Sequence, residues 1–352
     1  MNKKILYITN MLLAVFFLTA CKNGDWSFPD YDNPNSDKNT AVYFAYQSPI
    51  RTITFGEDLT TDNSMDNEQN FQIMATIGGV YENTKDVIID LSFDNSLCNG
   101  IQFTGGGDVV PMPGNYYTIV GDPRIVIKSG QVLGGVKIHL EDAFFNDPLA
   151  TEVNYVVPVK MTQVENADSI LSGTPQDGVA QPVLQFASNW SVQPKNYTLY
   201  AVRYISKYQS NYLRRGVDSY SGAKIGIEKR HAEFVEKDEV LQNQFTTKGK
   251  NAVQWAHTVK DQAGNNLTCN IQLSFDAEGN CTLSSPDPTV FTVNGSGKFV
   301  AKGDKDSWGN KDRDVLYLDY TLQYDGITRA TKDTLVVRDR GVKAEWFKIE
   351  EK

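Results

Sequence analysis

Residues 267–276 read LTCNIQLSFD, and apolar and polar side chains alternate strictly along this stretch. The pattern recurs in residues 316–324 (LYLDYTLQY), 87–94 (VIIDLSFD) and 136–141 (VKIHLE). Successive side chains of a β-strand point to opposite faces, so a period of two predicts strands that are buried on one face. Evidence for a helix is confined to residues 232–244, where three apolar residues stand among charges. The sequence therefore predicts an all-β protein.

The strand pattern divides the chain into two blocks. Residues 41–165 hold seven or eight short strands separated by Gly and Pro turns, which is typical of an immunoglobulin-like β-sandwich. Residues 166–195 are rich in Asn, Asp, Ser, Gly, Pro and Gln and are predicted to be a linker. About eight further strands follow in residues 196–352, and an antiparallel β-barrel would leave them without exposed edges. Two domains also agree with the length of 352 residues.

The N-terminus carries a targeting signal. Residues 1–20 combine Lys3 and Lys4 with an apolar run too short to span a bilayer, as in secretory signal peptides. Residues 18–21 (LTAC) resemble the lipobox of bacterial lipoproteins, which implies cleavage before Cys21 and acylation of that residue. Residues 21–40 are predicted to be a tether. Lys22 follows the lipidated cysteine, and not the Asp that retains lipoproteins at the inner membrane, so we expect a lipid anchor in the outer membrane.

Which side of the outer membrane the protein faces depends on less evidence. We expect the cell surface, and the periplasmic face stays an alternative because residues 22–25 (KNGD) contain only one acidic residue.

Composition excludes several classes of function. The chain has 34 basic and 43 acidic residues and a net charge of -9, which argues against nucleic acid as a partner. Three His and four Cys offer little material for a His-based catalytic site or a zinc site, and no Gly-x-Ser-x-Gly or Cys-x-x-Cys motif occurs. We therefore predict no catalytic residue, no metal, no cofactor and no enzymatic activity. A glycoside hydrolase with dispersed carboxylates is kept as a third alternative, because so many acidic residues make any single pair uninformative.

Three thiols remain once Cys21 is acylated, and an odd number cannot all pair within the chain. A hairpin around residues 276–280 would place Cys281 opposite Phe275, so a disulfide between Cys281 and Cys269 is not expected. Cys269 lies on the apolar side of its strand and is predicted to be buried. His257 shares a face with Trp255 and is predicted to be partly buried.

Aromatic residues suggest a ligand-binding surface in the second block. Tyr side chains recur every four residues, which would place them on one face of a continuous strand, and two Arg follow directly. Aromatic faces that stack on sugar rings, next to polar groups that bind hydroxyls, are what a glycan site requires. An exposed Trp in a polar loop completes the predicted set: Tyr200, Tyr204, Tyr208, Tyr212, Arg214, Arg215 and Trp308. The alternative is that these tyrosines are core residues.

One polar loop partly imitates a calcium site. Residues 304–315 have acidic residues at positions one and three and Gly at position six, but Trp308 and Val315 occupy positions that should supply oxygen ligands. No metal site is predicted there.

Several longer stretches resemble known families. Residues 26–31 (WSFPDY), 42–47 (VYFAYQ), 49–53 (PIRTI), 73–80 (IMATIGGV), 155–160 (YVVPVK) and 168–173 (DSILSG) resemble a domain of unknown function common in lipoproteins of gut Bacteroidetes, which also precedes chitinase-type glycosidase modules. Residues 197–204 (YTLYAVRY) and 211–216 (NYLRRG) resemble a second uncharacterised Bacteroidetes domain, described as calycin-like and lipid-binding.

These resemblances imply a function by association. Such proteins commonly belong to polysaccharide-utilisation systems, so we expect a non-catalytic accessory protein that binds a glycan, with other proteins of such a system as further partners. The calycin-like domain implies an alternative, a small apolar ligand or lipid held inside the barrel. Residues 168–170 (DSI) also resemble the acceptor of Bacteroidetes O-glycosylation, which would make Ser169 the modified residue.

Overall fold

The structure is a computed structural model that describes residues 40–79 and 82–352. Residues 1–39, with the predicted signal, Cys21 and nearly all of the tether, lie outside the described residues. The all-β prediction is confirmed, since the helices among the described residues are single turns: α1 (Ser64–Asn67), α2 (Asp142–Phe145) and the 3-10 turns Asn95–Cys98, Pro148–Thr151, Ala187–Asn189 and Val235–Lys237. Residues 232–244, where the sequence gives weak evidence for a helix, contain no helix longer than the last of these turns.

No helix in residues 40–79 and 82–352 is long and apolar enough to cross a membrane.

The first β-unit is a sandwich of two sheets. Its strands, in chain order, are β1 (Ala41–Tyr43), β2 (Pro49–Thr54), β3 (Asn70–Gly78), β4 (Val87–Phe93), β5 (Ile101–Phe103), β6 (Val110–Pro111), β7 (Tyr117–Val120), β8 (Ile125–Ile127), β9 (Leu133–Leu140), β10 (Tyr155–Glu165), β11 (Ser169–Ile170), β12 (Thr174–Pro175), β13 (Trp190–Val192) and β14 (Tyr197–Ile205). Two strands from the end of the chain join them: β25 (Glu345–Trp346) and β26 (Ile349–Glu351).

The two sheets enclose one apolar core. The first has the order β11-β1-β3-β9-β7, and the second has the order β25-β2-β14-β10-β4-β8. The alternation read from the sequence sets which residues face inward: Val87 and Ile89 on β4, and Ile138 and Leu140 on β9, are fully buried between the sheets. The strict period of two therefore predicts this core correctly.

Strand β14 lies in the sandwich, whereas the sequence predicts it to be part of the second unit. It pairs antiparallel with β10 and parallel with β2. Val202 and Tyr204 face the sandwich core, whereas Leu199 and Ala201 pack on the outer side against a smaller apolar cluster. A strand buried on both faces reads as a continuous apolar run, which explains why no alternation marked its position. The domain start predicted at residue 196 is therefore wrong.

The predicted linker and the C-terminus also attach to the sandwich. Within residues 166–195, β11 extends the first sheet and β12 pairs with β13. Leu184 and Phe186 cover the outer face of the second sheet together with Phe347 and Ile349 from the C-terminal segment. At the end of the chain, β25 pairs with β2 and β26 pairs with β5. Residues 342–352, predicted as part of the barrel, thus belong to the sandwich.

The second β-unit, residues 207–341, is one antiparallel sheet. Its strands are β15 (Asn211–Gly222), β16 (Gly226–Arg230), β17 (Glu239–Leu241), β18 (Phe245–Gly249), β19 (Ala252–Lys260), β20 (Asn266–Phe275), β21 (Asn280–Ser284), β22 (Thr292–Asp304), β23 (Arg313–Tyr324) and β24 (Ile327–Asp339). They follow the order β16-β15-β24-β23-β22-β21-β20-β19-β18, with β17 also paired to β15.

This sheet curls until its ends approach each other. Tyr212 on β15 contacts Phe245 on β18, with ring centroids 4.8 Å apart. Within the described residues no strand pairing joins β18 to β15, β16 or β17, so the unit is barrel-like but not closed by a hydrogen-bonded ladder. Its interior is filled by large side chains, among them Trp255, Phe275 and Tyr320. This filling disfavours an apolar ligand inside the barrel.

The three cysteines of the described residues are free and buried. Cys281 pairs with Phe275 across the β20-β21 hairpin, as the sequence predicts, and Cys269 faces the core. Burial raises the pKa of Cys98 to about 12, that of Cys269 to about 11 and that of Cys281 to about 12. These thiols are therefore poor nucleophiles near neutral pH.

Candidate functional site

The predicted tyrosine stripe is wrong. Tyr200 and Tyr204 belong to β14, Tyr212 belongs to β15, and a turn over residues 206–210 separates these strands, so the four side chains do not share a face. Tyr204, Tyr208 and Tyr212 are fully buried, and Tyr200 stacks on Phe71 at 5.6 Å. The tyrosines recur every four residues because the core of the sandwich, which holds Tyr204, and the core of the second unit, which holds Tyr208 and Tyr212, meet at this turn. None of these three buried rings exposes a face to a ligand.

Two other predicted ligand residues have structural partners. Trp308 is half-buried against a small apolar cluster, with the Arg313 guanidinium 4.4 Å from its ring centroid. Arg215 donates from Nε to Asp238 at 2.6 Å. The exposed, ligand-facing Trp308 is therefore a wrong prediction, because Arg313 and the cluster cover the ring.

The O-glycosylation residue predicted from the sequence and the loop that imitates a calcium site both lie within the described residues. Ser169 is exposed on β11, where its hydroxyl donates to the carbonyl of Thr40 at 3.3 Å. In the loop of residues 304–315, Asp312 is paired with Lys305 at 2.8 Å. No group of His, Cys, Asp or Glu within residues 40–79 and 82–352 is arranged to hold a metal.

Arg214, in contrast, belongs to a group of buried charges that we call the charged cluster: Arg214, Asp218, Arg230, Arg329 and Asp333. The inner face of the curled sheet carries it, because residues 214, 216 and 218 of β15 share that face with residues 329, 331 and 333 of β24. Arg214, Asp218, Arg329 and Asp333 are each no more than 5% exposed. Such burial requires that the charges be paired.

Gly216 allows the central pairing. It lies between Arg230 and Asp333 in the ladder, and a Cβ atom on it would come within 2.3 Å of Asp333 Oδ1. Without that atom, Arg230 reaches across and donates from Nη2 to Asp333 Oδ1 at 2.5 Å. Here the glycine provides space for a carboxylate.

Asp333 is the most connected acid of the cluster. Its Oδ2 accepts hydrogen bonds from Arg214 Nε at 3.0 Å, from Arg214 Nη2 at 2.8 Å and from the Tyr320 hydroxyl at 3.2 Å. Burial opposes the charge of Arg214, but Tyr320 and Asp333 outweigh it and raise the pKa of this guanidinium above its ordinary value. Arg214 also lies over the Trp255 ring, 5.3 Å from the centroid. Arg214 is therefore held as a cation in the interior.

The second acid, Asp218, connects the cluster to β16 and β24. It accepts from the Thr331 hydroxyl at 2.7 Å and from Arg230. Arg329 Nη2 donates to His257 Nε2, and because a guanidinium has no acceptor, that nitrogen must be unprotonated. Burial and the nearby Arg214, Arg329 and Arg230 lower the pKa of His257 well below its usual value, in agreement with a neutral imidazole. His257 is thus more deeply buried than predicted.

A cavity of about 360 Å³ opens beside the charged cluster. Its polar walls include Tyr220, Thr258, Asn266 and Tyr324, and the pair Lys224–Glu228 stands at its rim.

A larger cavity of about 570 Å³ lies between the two β-units. Its polar lining includes side chains from both: Thr52, Arg203, Gln209, Asn211, Gln242, Asn243, Thr246, Arg338, Asp339 and Glu345. The walls are held in place, since Arg203 donates to Thr52 Oγ1 at 3.0 Å and pairs with Glu345.

The two β-units are fixed to each other beside this larger cavity. Arg340 from the second unit is buried and donates to the carbonyl of Ser206, the residue that follows β14, at 2.6 Å. Thr247 Oγ1 accepts from the Ser206 amide at 2.9 Å. These contacts hold residues next to β14 against the second unit beside the cavity.

The sequence of β24 carries a signal for the charged cluster. In residues 327–337, every second position reads Ile327, Arg329, Thr331, Asp333, Leu335 and Val337. Apolar ends with three polar residues between them on one face predict a polar site inside an otherwise apolar sheet. The partner residues on β15, β16 and β19 cannot be predicted in this way, because the sequence of one strand does not determine its register with the next.

Comparison with known proteins gives a family but no named activity. The model "Domain of unknown function (DUF5627)" matches residues 207–341, and a "-like, N-terminal domain" model matches residues 33–168. No curated protein matches the chain.

Solved structures link the chain to another protein. A crystal structure of a protein of unknown function from Bacteroides ovatus is 42% identical, with a TM-score of 0.81, and the match covers 90% of this chain and 100% of that one. An auxiliary nutrient binding protein from Bacteroides thetaiotaomicron is 13% identical, with a TM-score of 0.33, over 84% of this chain and 95% of that one. The second resemblance is too distant to carry a functional inference. On the first, the chain belongs to the same family as the Bacteroides ovatus protein.

Proposed function

We propose that this protein is a non-catalytic lipoprotein, anchored through Cys21 in the outer membrane at the cell surface, that binds a glycan in the cavity between its two β-units. The observation that supports the ligand class is the polar lining of that cavity. About 570 Å³ is within the range of roughly 300–1,000 Å³ of small-ligand sites, and the groups around it are amides, hydroxyls, guanidiniums and carboxylates.

Three of these side chains are available to a ligand. Gln242, Asn243 and Thr246 are exposed at the cavity, and the side chain of none of them has a hydrogen-bond partner among residues 40–79 and 82–352. Amide and hydroxyl groups can both donate and accept, which matches the hydroxyls of a sugar. Arg203 and Arg338 also line the cavity and supply further donors.

The two carboxylates of the cavity are engaged by neighbours. Asp339 accepts from Asn211 Nδ2 at 2.6 Å, and Glu345 is paired with Arg203. A glycoside hydrolase needs one carboxyl group free to protonate the leaving oxygen and a second to attack or to activate water. The engagement of both groups favours binding over hydrolysis.

The experiment is calorimetry of residues 22–352 against a panel of neutral host and plant glycans. The variants Gln242→Ala and Thr246→Ala are expected to weaken binding by roughly two- to tenfold each, because each removes one hydrogen-bonding group. Thr268→Ala, on the exposed face of β20, is the matched control and should bind like the unmodified protein. A folded sample that binds no glycan, or cavity variants that bind normally, would contradict the proposal.

The anchor has a separate test. Labelled palmitate should be incorporated into the full-length chain and not into its Cys21→Ser variant, and protease added to intact cells should degrade the anchored form. Labelling of the serine variant, or protection from protease, would refute the lipidated or the surface-exposed part of the proposal respectively.

A further inference from the structure

We propose that the charged cluster is a second, independent binding site, which takes a monoanionic group, a carboxylate or a sulfate ester, on a ligand about the size of a monosaccharide. The site lies within the second β-unit, apart from the cavity between the units. It goes beyond the proposed function, since neither its residues nor its ligand class is shared with that cavity.

The first step is the balance of charge. Three guanidiniums, those of Arg214, Arg230 and Arg329, face two carboxylates, those of Asp218 and Asp333. The neighbouring His257 is neutral, because its Nε2 accepts from Arg329. The cluster therefore holds one cation more than it holds carboxylates, and the third guanidinium, that of Arg230, is 21% exposed.

The rim of the cavity does not remove this imbalance. Glu239 is 3.4 Å from Arg214 Nη1, but 45% of its side chain is exposed, so water screens its charge. Lys224 and Glu228 pair with each other, and Lys260 adds a further cation. The cavity and its charged floor thus carry one net positive charge in a chain whose net charge is -9. A singly charged anion would neutralise it.

The second step is the unused hydrogen-bonding capacity. The Nε atoms of Arg230 and Arg329 are both buried and without a hydrogen-bond partner among the described residues. The carboxylate oxygen Asp218 Oδ1 is 3.7 Å from Arg329 Nε, too far for a hydrogen bond. Arg329 lines the cavity and its side chain is 6% exposed. A buried donor without an acceptor destabilises the fold unless a ligand supplies the acceptor.

The third step is the fit of the cavity. A volume of about 360 Å³ accommodates a monosaccharide-sized ligand. Tyr220 and Tyr324 line it and can meet the rest of such a ligand, while Thr258 and Asn266 offer groups for its hydroxyls. Where stability is the only demand, apolar residues serve as well as buried ions, so two buried arginines and the partly buried Arg230 beside an open polar cavity point to a ligand.

The experiment uses residues 22–352 and measures binding by calorimetry and by the shift in thermal unfolding. The probes are sodium glucuronate and galactose 6-sulfate, with glucose as the neutral comparison. We expect both anionic sugars to bind and to raise the unfolding temperature, and glucose to do neither. Added salt should weaken the binding. Equal effects of glucose and glucuronate, or no binding of either anion, would overturn the proposal.

Variants separate this site from a purely structural cluster. Arg329→Gln should lower the affinity for the anionic sugars at least about tenfold, whereas Lys332→Gln, which removes a cation from the exposed face of the same strand, should leave it within about twofold. If Arg329→Gln does not fold, Lys260→Glu reverses an exposed charge at the rim and should lower the affinity severalfold. Normal binding by either of these two site variants would overturn the proposal.

The two sites can be told apart. Gln242→Ala lies in the cavity between the β-units and should leave glucuronate binding unchanged. A loss of glucuronate binding in this variant would assign the anion to the cavity between the units and would overturn the assignment to the charged cluster.

Discussion

Replacing Asp333 by Asn should strongly destabilise the second β-unit. Asp333 is buried and accepts from Arg214, Arg230 and the hydroxyl of Tyr320. The amide keeps the size of the side chain and one acceptor oxygen but removes the negative charge. Breaking one partner out of a buried ion pair costs about 3–5 kcal/mol, because the other charge stays behind in the interior.

The environment of the two arginines places the expected loss in this range. Arg230 retains Asp218 as a partner and is partly exposed, so it contributes little to the loss. Arg214 is only 4% exposed and retains a single carboxylate partner, Glu239, at 3.4 Å and on the rim. We therefore expect a decrease near the lower limit, about 3 kcal/mol, which is a large fraction of the roughly 5–15 kcal/mol that stabilises a typical domain.

Urea unfolding followed by circular dichroism and Trp fluorescence measures this loss, and Trp255, buried in the same unit, reports on it. The matched control is Asp319→Asn. Asp319 faces Lys332 on the outer side of the adjacent strand pair, at 3.0 Å, with both side chains more than 60% exposed, so its replacement should change the free energy of unfolding by less than about 1 kcal/mol. If Asp333→Asn also changes it by less than about 1 kcal/mol, the charged cluster does not stabilise the second unit as described.

Three further predictions concern titration, reactivity and packing. Burial and the neighbouring arginines keep His257 neutral, so below about pH 6.5 the unfolded chain takes up a proton that the folded chain does not, and the free energy of unfolding falls by up to about 1.4 kcal/mol per pH unit. The His257→Asn variant should lack this pH-dependent loss in urea unfolding measured between about pH 7 and pH 5. The same pH dependence in the variant and in the unmodified protein would contradict the prediction. The three thiols should resist iodoacetamide at about pH 8 until urea unfolds the protein, because burial raises the pKa of Cys98, Cys269 and Cys281. Mass spectrometry measures the labelling. Rapid labelling of the native protein would contradict the prediction. Tyr204→Phe should lower the free energy of unfolding by about 1 kcal/mol, because it removes a buried hydroxyl that donates to the carbonyl of Phe145 at 3.0 Å. The same variant should leave glycan binding unchanged. A loss of glycan binding would support the predicted tyrosine stripe as a binding site.

The sequence predicts the architecture wherever burial is one-sided. The alternation in residues 267–276 and 316–324 correctly gives the inner faces of β20 and β23, and turn position alone correctly places Cys281 opposite Phe275. Prediction from the sequence fails where a strand is buried on both faces or where a turn contains no Gly or Pro. Strand β14 lacks alternation because both of its faces are covered, and the turn after it contains neither Gly nor Pro, so two strands read as one.

The candidate sites were harder to predict for a different reason. The polar residues Arg329, Thr331 and Asp333 are visible as a pattern within β24. Their partners Arg214, Asp218 and Arg230 lie about a hundred residues earlier in the chain, and only the register between the strands brings them together. The cavity between the β-units depends on contacts such as that of Arg340 with the carbonyl of Ser206, which no local pattern records.

The return of the last residues to the sandwich makes the second β-unit an insertion. The chain leaves the sandwich after β14 and re-enters it at β25, and both of these strands pair with β2. During synthesis, the edge of the sandwich sheet therefore cannot be completed until the whole second unit has left the ribosome. The sandwich is the first unit to be synthesised and the last to complete its fold. Residues 342–352 act as the closing strand segment of the first unit, and a truncation after residue 341 would leave β2 and β5 with exposed edges prone to aggregation.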